Sequence, residues 1–504
     1  MADLTDSREH RNNKNSDLGP IQTNFVRRQE RQGAIPTSTK LFQGLGGIPV
    51  AIVDFGVRTF LLLYYNQVLG LSASQASLVL LIALIADAIS DPVVGSFSDN
   101  LRHRLGRRHP LMYLAIIPLG LSIYLLFAPL AVGLENPLPW LLVFTISTRL
   151  SLTFFAVPWG AMLAEMTDDY QERSALVSYR FGVIWIFGVV FTFCTFALIF
   201  TSSQEYPLGQ LNPNNYPDFA LAIALAVSIG ALACTHLTRS EIPYLKQPDE
   251  THRTFSLHAL FEELQVTATN AQFRILFLAV LASSVVTGTS QALEIYMTTY
   301  FWGFGGEELR WMSLVVIGGL LAVATVLPLQ NRFDKKYLLV ASSAAIMVIS
   351  AIPVSMRLFG IAPENGSGQL LAMIVCTSIV VFYFITIALI MFTSMLADTV
   401  DLQDAQTGLR QEGLFNSAIT FSAKATSGAG LLIAGLLIDF VVLMPDPATK
   451  QPITDDMLLR LGVLEAYVVP VFNLIWLWLA LKYSITREQH QQTLNLLRAR
   501  DHQD

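Results

Sequence analysis

The apolar residues of this chain come in blocks too long for a water-soluble fold. Leu78–Ala86, Leu111–Val132, Ile184–Phe200, Phe219–Cys234, Leu370–Met395 and Val468–Leu481 are the clearest. A helix needs about 20 mainly apolar residues to cross the hydrocarbon of a bilayer. In lipid it must also satisfy its own backbone hydrogen bonds, which a helix does within one segment. Charged residues make up 14% of the chain, where soluble proteins carry about 25%. A water-soluble enzyme is excluded.

The pattern predicts an all-α membrane protein of twelve spans, near 42–69, 73–98, 110–133, 138–165, 177–202, 218–237, 273–302, 309–329, 337–359, 368–398, 412–443 and 461–484. Residues 1–40 are expected as a flexible polar tail, 41–237 as a first six-helix half and 238–272 as a middle loop. Residues 273–484 are expected as a second half and 485–504 as a tail. Arg310, Arg357, Lys450 and Arg460 fall in loops of one side, and Arg58, Arg149, Arg180 and Lys424 fall within spans. The other Lys and Arg residues gather on the side of the termini. The positive-inside rule then places both ends in the cytoplasm.

Two weak echoes recur six spans apart. Ala164-Glu165-Met166-Thr167-Asp168-Asp169, then Arg173, follows the fourth span, and Ala397-Asp398-Thr399-Val400-Asp401, then Arg410, follows the tenth. Asn331–Lys336 is a reduced echo of Asp99–Arg108. Two parallel repeats with a site between them are a transporter architecture.

Intramembrane charges carry the chemical information, because they are costly and usually functional. The second span holds Asp87-Ala88-Ile89-Ser90-Asp91-Pro92. Asp87 and Asp91 are i,i+4 and share a helix face. Two carboxylates so close repel unless a cation or proton joins them. Ser90 supplies a neutral oxygen, and Pro92 frees a backbone carbonyl one turn back. The bland reading is a pair of acids held permanently by basic residues. Asp54 and Arg58 are also i,i+4, and either pair with one another or meet a substrate. Arg149 has no evident partner, with Glu294 and Asp54 as candidates, and Glu294 sits either in the site or at a wet helix end.

After the second span, Gly95, Asp99, Arg102, Arg104, Gly106, Arg107, Arg108 and Pro110 form a spaced loop. The arginines suit a positive-inside loop; the Gly and Asp spacing suits a conformational latch of Asp99, Arg102, Gly106, Arg107 and Arg108. Cys194, Cys234 and Cys376 stand singly in apolar blocks and read as core residues. With net charge −6 and no basic–aromatic cluster, a nucleic-acid partner is not expected.

At these residues the chain resembles the glycoside–pentoside–hexuronide:cation symporter family, the melibiose-permease branch of the major facilitator superfamily. Five segments carry the resemblance in order. They are Tyr64-Tyr65 to Gly70-Leu71-Ser72; Asp87–Pro92 with its Arg-rich loop; and Val157-Pro158-Trp159 to Asp168-Asp169-Tyr170 with Glu172-Arg173. Ser178-Tyr179-Arg180-Phe181 and Ala397–Asp401 running on to Lys424 complete them. The resemblance implies a cation site of Asp87, Ser90, Asp91 and Thr153, with Lys424 beside it. It implies a sugar-binding Arg180 and an aromatic platform at Trp159. The acids that anchor galactoside hydroxyls in that branch correspond to Ala51 and Ala156 here, with Asp54 one turn from the first.

The expectation is therefore a major facilitator fold of two pseudo-symmetric halves, in a bacterial inner membrane. The expected activity is symport of a sugar or glycoside with Na⁺ or H⁺ by alternating access, the metal site at Asp87 and Asp91 applying only to Na⁺. Asp54, Arg58, Trp159, Arg180 and Lys424 are the candidate substrate residues. A sodium-coupled lysolipid or other amphipathic solute is the alternative. No nucleophile–base set marks an enzyme, and no cofactor beyond the coupling cation is expected. The expected partners are a small-molecule substrate, expected to be a carbohydrate, and the bilayer, with no obligate protein partner.

Overall fold

The computed structural model describes residues 31, 33–167, 169–245, 271–407, 412–445 and 451–501. Most of the expected N-terminal tail, the centre of the middle loop, Arg410 and Lys450 lie outside them. Among the described residues all regular structure is helical, and twelve helices are long and apolar enough to cross a membrane. They are α1 Thr37–Val68, α2 Ala73–Asn100, α3 His109–Phe127, α4 Pro137–Met166, α5 Gln171–Ile199, α6 Pro213–Tyr244, α7 Ala271–Phe301, α8 Gly306–Arg332, α9 Lys335–Leu358, α10 Gly368–Ala405, α11 Ser422–Val442 and α12 Asp455–Leu481.

Local chemistry explains where the boundaries differ from the sequence pattern. The fifth helix starts several residues early because Asp169 caps it, its side chain accepting the Glu172 amide at 2.8 Å. Such a cap satisfies an orphan N–H of the first turn. Glu172 and Arg173 therefore lie in that helix and not in the connection. The Ala397–Asp401 echo, expected between spans, is inside a helix that runs on to Thr407. Residues 487–501, expected as part of a tail, form a further helix, α13 Arg487–Asp501. This helix is polar and adds no span. It docks on α10, with His490 Nε2 3.6 Å from Asp398 Oδ1.

Packing is mainly within the first six and within the last six spans. Small residues let the backbones cross closely, as is usual where lipid gives helices no hydrophobic reason to associate. Gly288 of α7 lies against the Ser427 backbone of α11, and Gly430 of α11 lies against Val285 and Thr289. The seam between the halves runs along α2 and α11, where Gly428 meets Leu81 and Leu84 and Gly435 meets Ser77.

The two ends of the bundle differ. Opposite the Arg-rich loop, polar contacts cross the seam. Tyr296 donates to Asn66 (3.0 Å), Tyr300 to Gln67 (2.8 Å), and the Asp439 carboxylate accepts the amides of Ala73 (3.1 Å) and Ser74 (2.8 Å). Behind them an aromatic cluster closes the first half, with Phe60 stacked on Phe200 and Tyr64 on Tyr216. At the loop end, the pairs Arg107–Glu165, Lys40–Glu172 and Lys335–Asp398 each join residues of one half. These side-chain contacts across the seam seal the far end. Among the described residues, six wide π-type turns also lie toward the sealed end, at 57–61 and 64–68 of α1, 195–199 of α5, 297–301 of α7, 438–442 of α11 and 464–468 of α12.

Candidate functional site

Midway along the seam, α2, α4 and α11 bring four polar side chains together. Thr153 Oγ1 lies 2.9 Å from Asp87 Oδ1 and 3.1 Å from Asp91 Oδ1. Lys424 Nζ donates to Asp87 Oδ2 at 3.0 Å and to Asp91 Oδ2 at 2.5 Å. Ser90 donates to the Asp87 carbonyl (3.0 Å) and stands 3.5 Å from Thr153. The i,i+4 spacing delivers both carboxylates to one face, and α4 and α11 supply the rest. Asp87 is 5% exposed, while Asp91, a turn nearer the loop end, is partly exposed, as is Lys424.

The electrostatics follow from the count. Two carboxylates and one ammonium leave one negative charge in a low-dielectric place, where an uncompensated charge is expensive. A single hydroxyl proton on Thr153 cannot serve both acids at once. By formal charge, one further positive charge would make the cluster neutral.

Asp54 and Arg58 do pair within α1, Nε to Oδ1 at 2.7 Å, and Arg58 also donates to Gln291 of α7 at 3.1 Å. Arg58 and Gln291 line a cavity of about 370 Å³ between the halves, walled by α1, α5, α7 and α8. Glu294 opens on the same cavity. Apolar side chains such as Phe55, Phe196 and Met312 share its wall with Thr59, Thr192 and Ser313.

Trp159 and Arg180 come together, but not as a vacant platform. Trp159 is 5% exposed, its indole N–H donates to the Gln43 carbonyl (2.7 Å), and Gly46 lies hard against the ring. The Arg180 guanidinium covers it at 3.6 Å and donates to the Trp159 carbonyl at 3.2 Å. Such a stacked cation holds both partners in place. Arg149 meets neither Glu294 nor Asp54. It has no ion pair among the described residues, and its Nε is buried without a partner.

Around the loop, Arg108, Ser98 and Glu165 form a buried cluster. Arg108 donates to Asp99 (2.5 Å), Ser98 (2.8 Å) and Glu165 (Nε, 2.8 Å), and Arg107 also reaches Glu165 at 2.8 Å. Gly106 turns the chain at φ +70, a conformation open to glycine. Arg102 is exposed and makes no ion pair among the described residues. Glu165, the hub, was visible in the sequence only as part of an echo; an acid at a span end beside an Arg-rich loop was the available signal. Gln291 and Asp439 carried none, because each meets its partner across the seam.

A family model described as MFS/sugar transport protein matches residues 42–487. The chain is 22% identical to the inner membrane symporter YicJ of Escherichia coli, over 80% of this chain and 82% of that protein. It is 22% identical to the sodium-dependent lysophosphatidylcholine symporter 1-B of Danio rerio, over 93% and 91%. Its fold is similar to the crystal structure of a D-xylose–proton symporter, with TM-score 0.58 and 14% identity, covering 89% of this chain and 98% of that one.

Proposed function

The chain belongs to the MFS/sugar transport protein family, a multi-pass secondary transporter and not an enzyme, and from that premise we propose cation-coupled symport of a sugar or glycoside. The observation that carries the coupling is the Asp87–Asp91–Thr153–Lys424 cluster, which is one positive charge short of neutral. A Na⁺ or a proton entering from the exposed Asp91 side supplies that charge. Ser90 and Thr153 favour Na⁺, since a proton needs no extra oxygens. A bound cation draws both carboxylates from Lys424, freeing α11 to move against α2, and this links ion binding to the exchange between open states.

With the loop end cytoplasmic, as the distribution of Lys and Arg supports, the far end that the cross-seam contacts close is the outer one. A bacterial inner membrane fits the similarity to YicJ. Arg58 and Gln291, on the cavity wall, then offer hydrogen bonds to solute hydroxyls, with Asp54 paired to Arg58 behind them.

A second reading, an amphipathic solute such as a lysolipid, is favoured by one observation. The Trp159 ring is already covered by Arg180, and a sugar ring would have to displace that guanidinium to stack there. Uptake into proteoliposomes under an imposed Na⁺ or H⁺ gradient separates the readings. Accumulation of a labelled glycoside that is lost in Asp91→Asn supports the first. Gradient-driven uptake of a lysolipid and no glycoside supports the second, and no gradient-driven uptake of either removes both.

A further inference from the structure

We propose that the transported solute carries an ammonium group and that Glu294 of α7 holds it, which narrows the solute class to amine-bearing glycosides. The proposal rests on the symport reading and adds to it the charge of the cargo. Two charged side chains line the cavity between the halves, Arg58 and Glu294. Arg58 is answered twice, by Asp54 at 2.7 Å and by Gln291 at 3.1 Å. Glu294 is exposed on the same wall, and among the described residues its carboxylate makes no ion pair and accepts no hydrogen bond. Gln291 precedes Glu294 by one turn of α7 and shares its face, so Arg58 bonds the first and leaves the second alone. The wall carries one unanswered negative charge.

Such a charge among membrane spans is costly and marks the path of a solute or ion. A hard metal cation takes several oxygen ligands, and the neutral oxygens nearest in the chain are already engaged. Gln291 Oε1 accepts from Arg58, and the Thr298 hydroxyl donates to the carbonyls of Glu294 and Ile295, both at 3.1 Å. An ammonium group brings its own three donors and is served by one carboxylate. Phe55 and Phe196 stand edge to face on the same wall, with ring centroids 6.5 Å apart, and aromatic faces attract such a cation. Thr59 and Thr192 add hydroxyls for the sugar ring. A uronate would meet the Glu294 charge and find Arg58 already paired.

Isothermal titration of the purified protein in Na⁺ tests the assignment without any gradient. The probes are methyl glycosides of glucosamine and galactosamine, each beside its uncharged N-acetyl counterpart. The amines are expected to bind about tenfold more tightly than the acetamides, as one charged hydrogen bond implies. Glu294→Gln is expected to bind the two series alike, and Glu294→Asp, which keeps the charge, to keep the preference. Equal affinities in the unaltered protein, a preference that survives in Glu294→Gln, or binding of neither series overturns the proposal. Should Glu294→Gln fail to fold, a trimethylammonium glycoside set against its uncharged tert-butyl isostere carries the test on the unaltered protein. Equal binding of those two overturns it.

Uptake into proteoliposomes separates the ammonium site from the symport reading beneath it. Gradient-driven accumulation of neutral glycosides with no preference for amines leaves symport standing and overturns the site. Amine-selective binding that is lost in Glu294→Gln, with no gradient-driven uptake of any glycoside, leaves the site standing and removes symport.

Discussion

Lys424 on α11 reaches across the boundary between the halves and holds Asp87 on α2 at 3.0 Å, 337 positions away in the chain. On the proposed symport reading it is a tethered positive charge at the cation site, and ion and lysine would compete for the same oxygens. Replacing Lys424 with Ala removes the competitor. The coupling cation is expected to bind about tenfold more tightly, or about 1.4 kcal/mol, in a titration of the purified protein. Weaker binding would show that the lysine supports the ion instead of displacing it.

Asp439 caps the first turn of α2 from the opposite half. A carboxylate at a helix N-terminus contributes about 1 kcal/mol, and here that energy belongs to the sealed state alone. Asp439→Asn should therefore shift the population toward far-end opening by about fivefold. Spin labels at the exposed far-end residues Leu134 and Phe359 would report the change as a growing long-distance component. An unaltered distribution would mean the cap is incidental to gating.

Glu165 accepts from Arg107 and from the buried Arg108. Removing one partner from a buried ion pair costs about 3–5 kcal/mol. Glu165→Gln is expected to lower the unfolding temperature in detergent and to reduce the folded yield. Asp99→Asn, whose carboxylate is more than half exposed, is expected to cost clearly less. Equal losses in the two variants would contradict the hub assignment.

A Cβ at Gly288 would run into the Ser427 backbone, whereas Gly182 on α5 faces open space. Gly288→Ala should push α7 from α11 and destabilise the second half by about 1–3 kcal/mol. Gly182→Ala should leave thermal stability unchanged. The pair of variants, measured by the same thermal scan, tests whether that crossing depends on the missing side chain.

Spans were legible in the sequence because a run of apolar residues is a linear signal, read without knowing any neighbour. The Asp87–Asp91 face was legible for a related reason, since i,i+4 is a spacing within one helix. Bringing Thr153 and Lys424 to the same place depended on a family resemblance, because nothing in their local sequence points to α2. Gln291 and Asp439 act through seam contacts that leave no local trace. Trp159 illustrates the converse case. The resemblance implied an aromatic platform there, but burial is a property of what packs on a ring, and Arg180 and Gly46 cover it. The start of the fifth helix was missed for want of weighing Asp169-x-x-Glu172, a capping signal present in the sequence.

The six π-type turns bear on how the sealed end could open. Each holds one residue more than an α turn, and one residue corresponds to about 100° of helical rotation. Letting that surplus migrate along α7 or α11 would change the phase of everything beyond it, with no helix unwound and few backbone hydrogen bonds surrendered. Tyr296, Asn66 and Asp439 would then address different neighbours. On that account the far ends of these spans would act less like hinges than like dials, the surplus residue of each turn being the slack for a second setting.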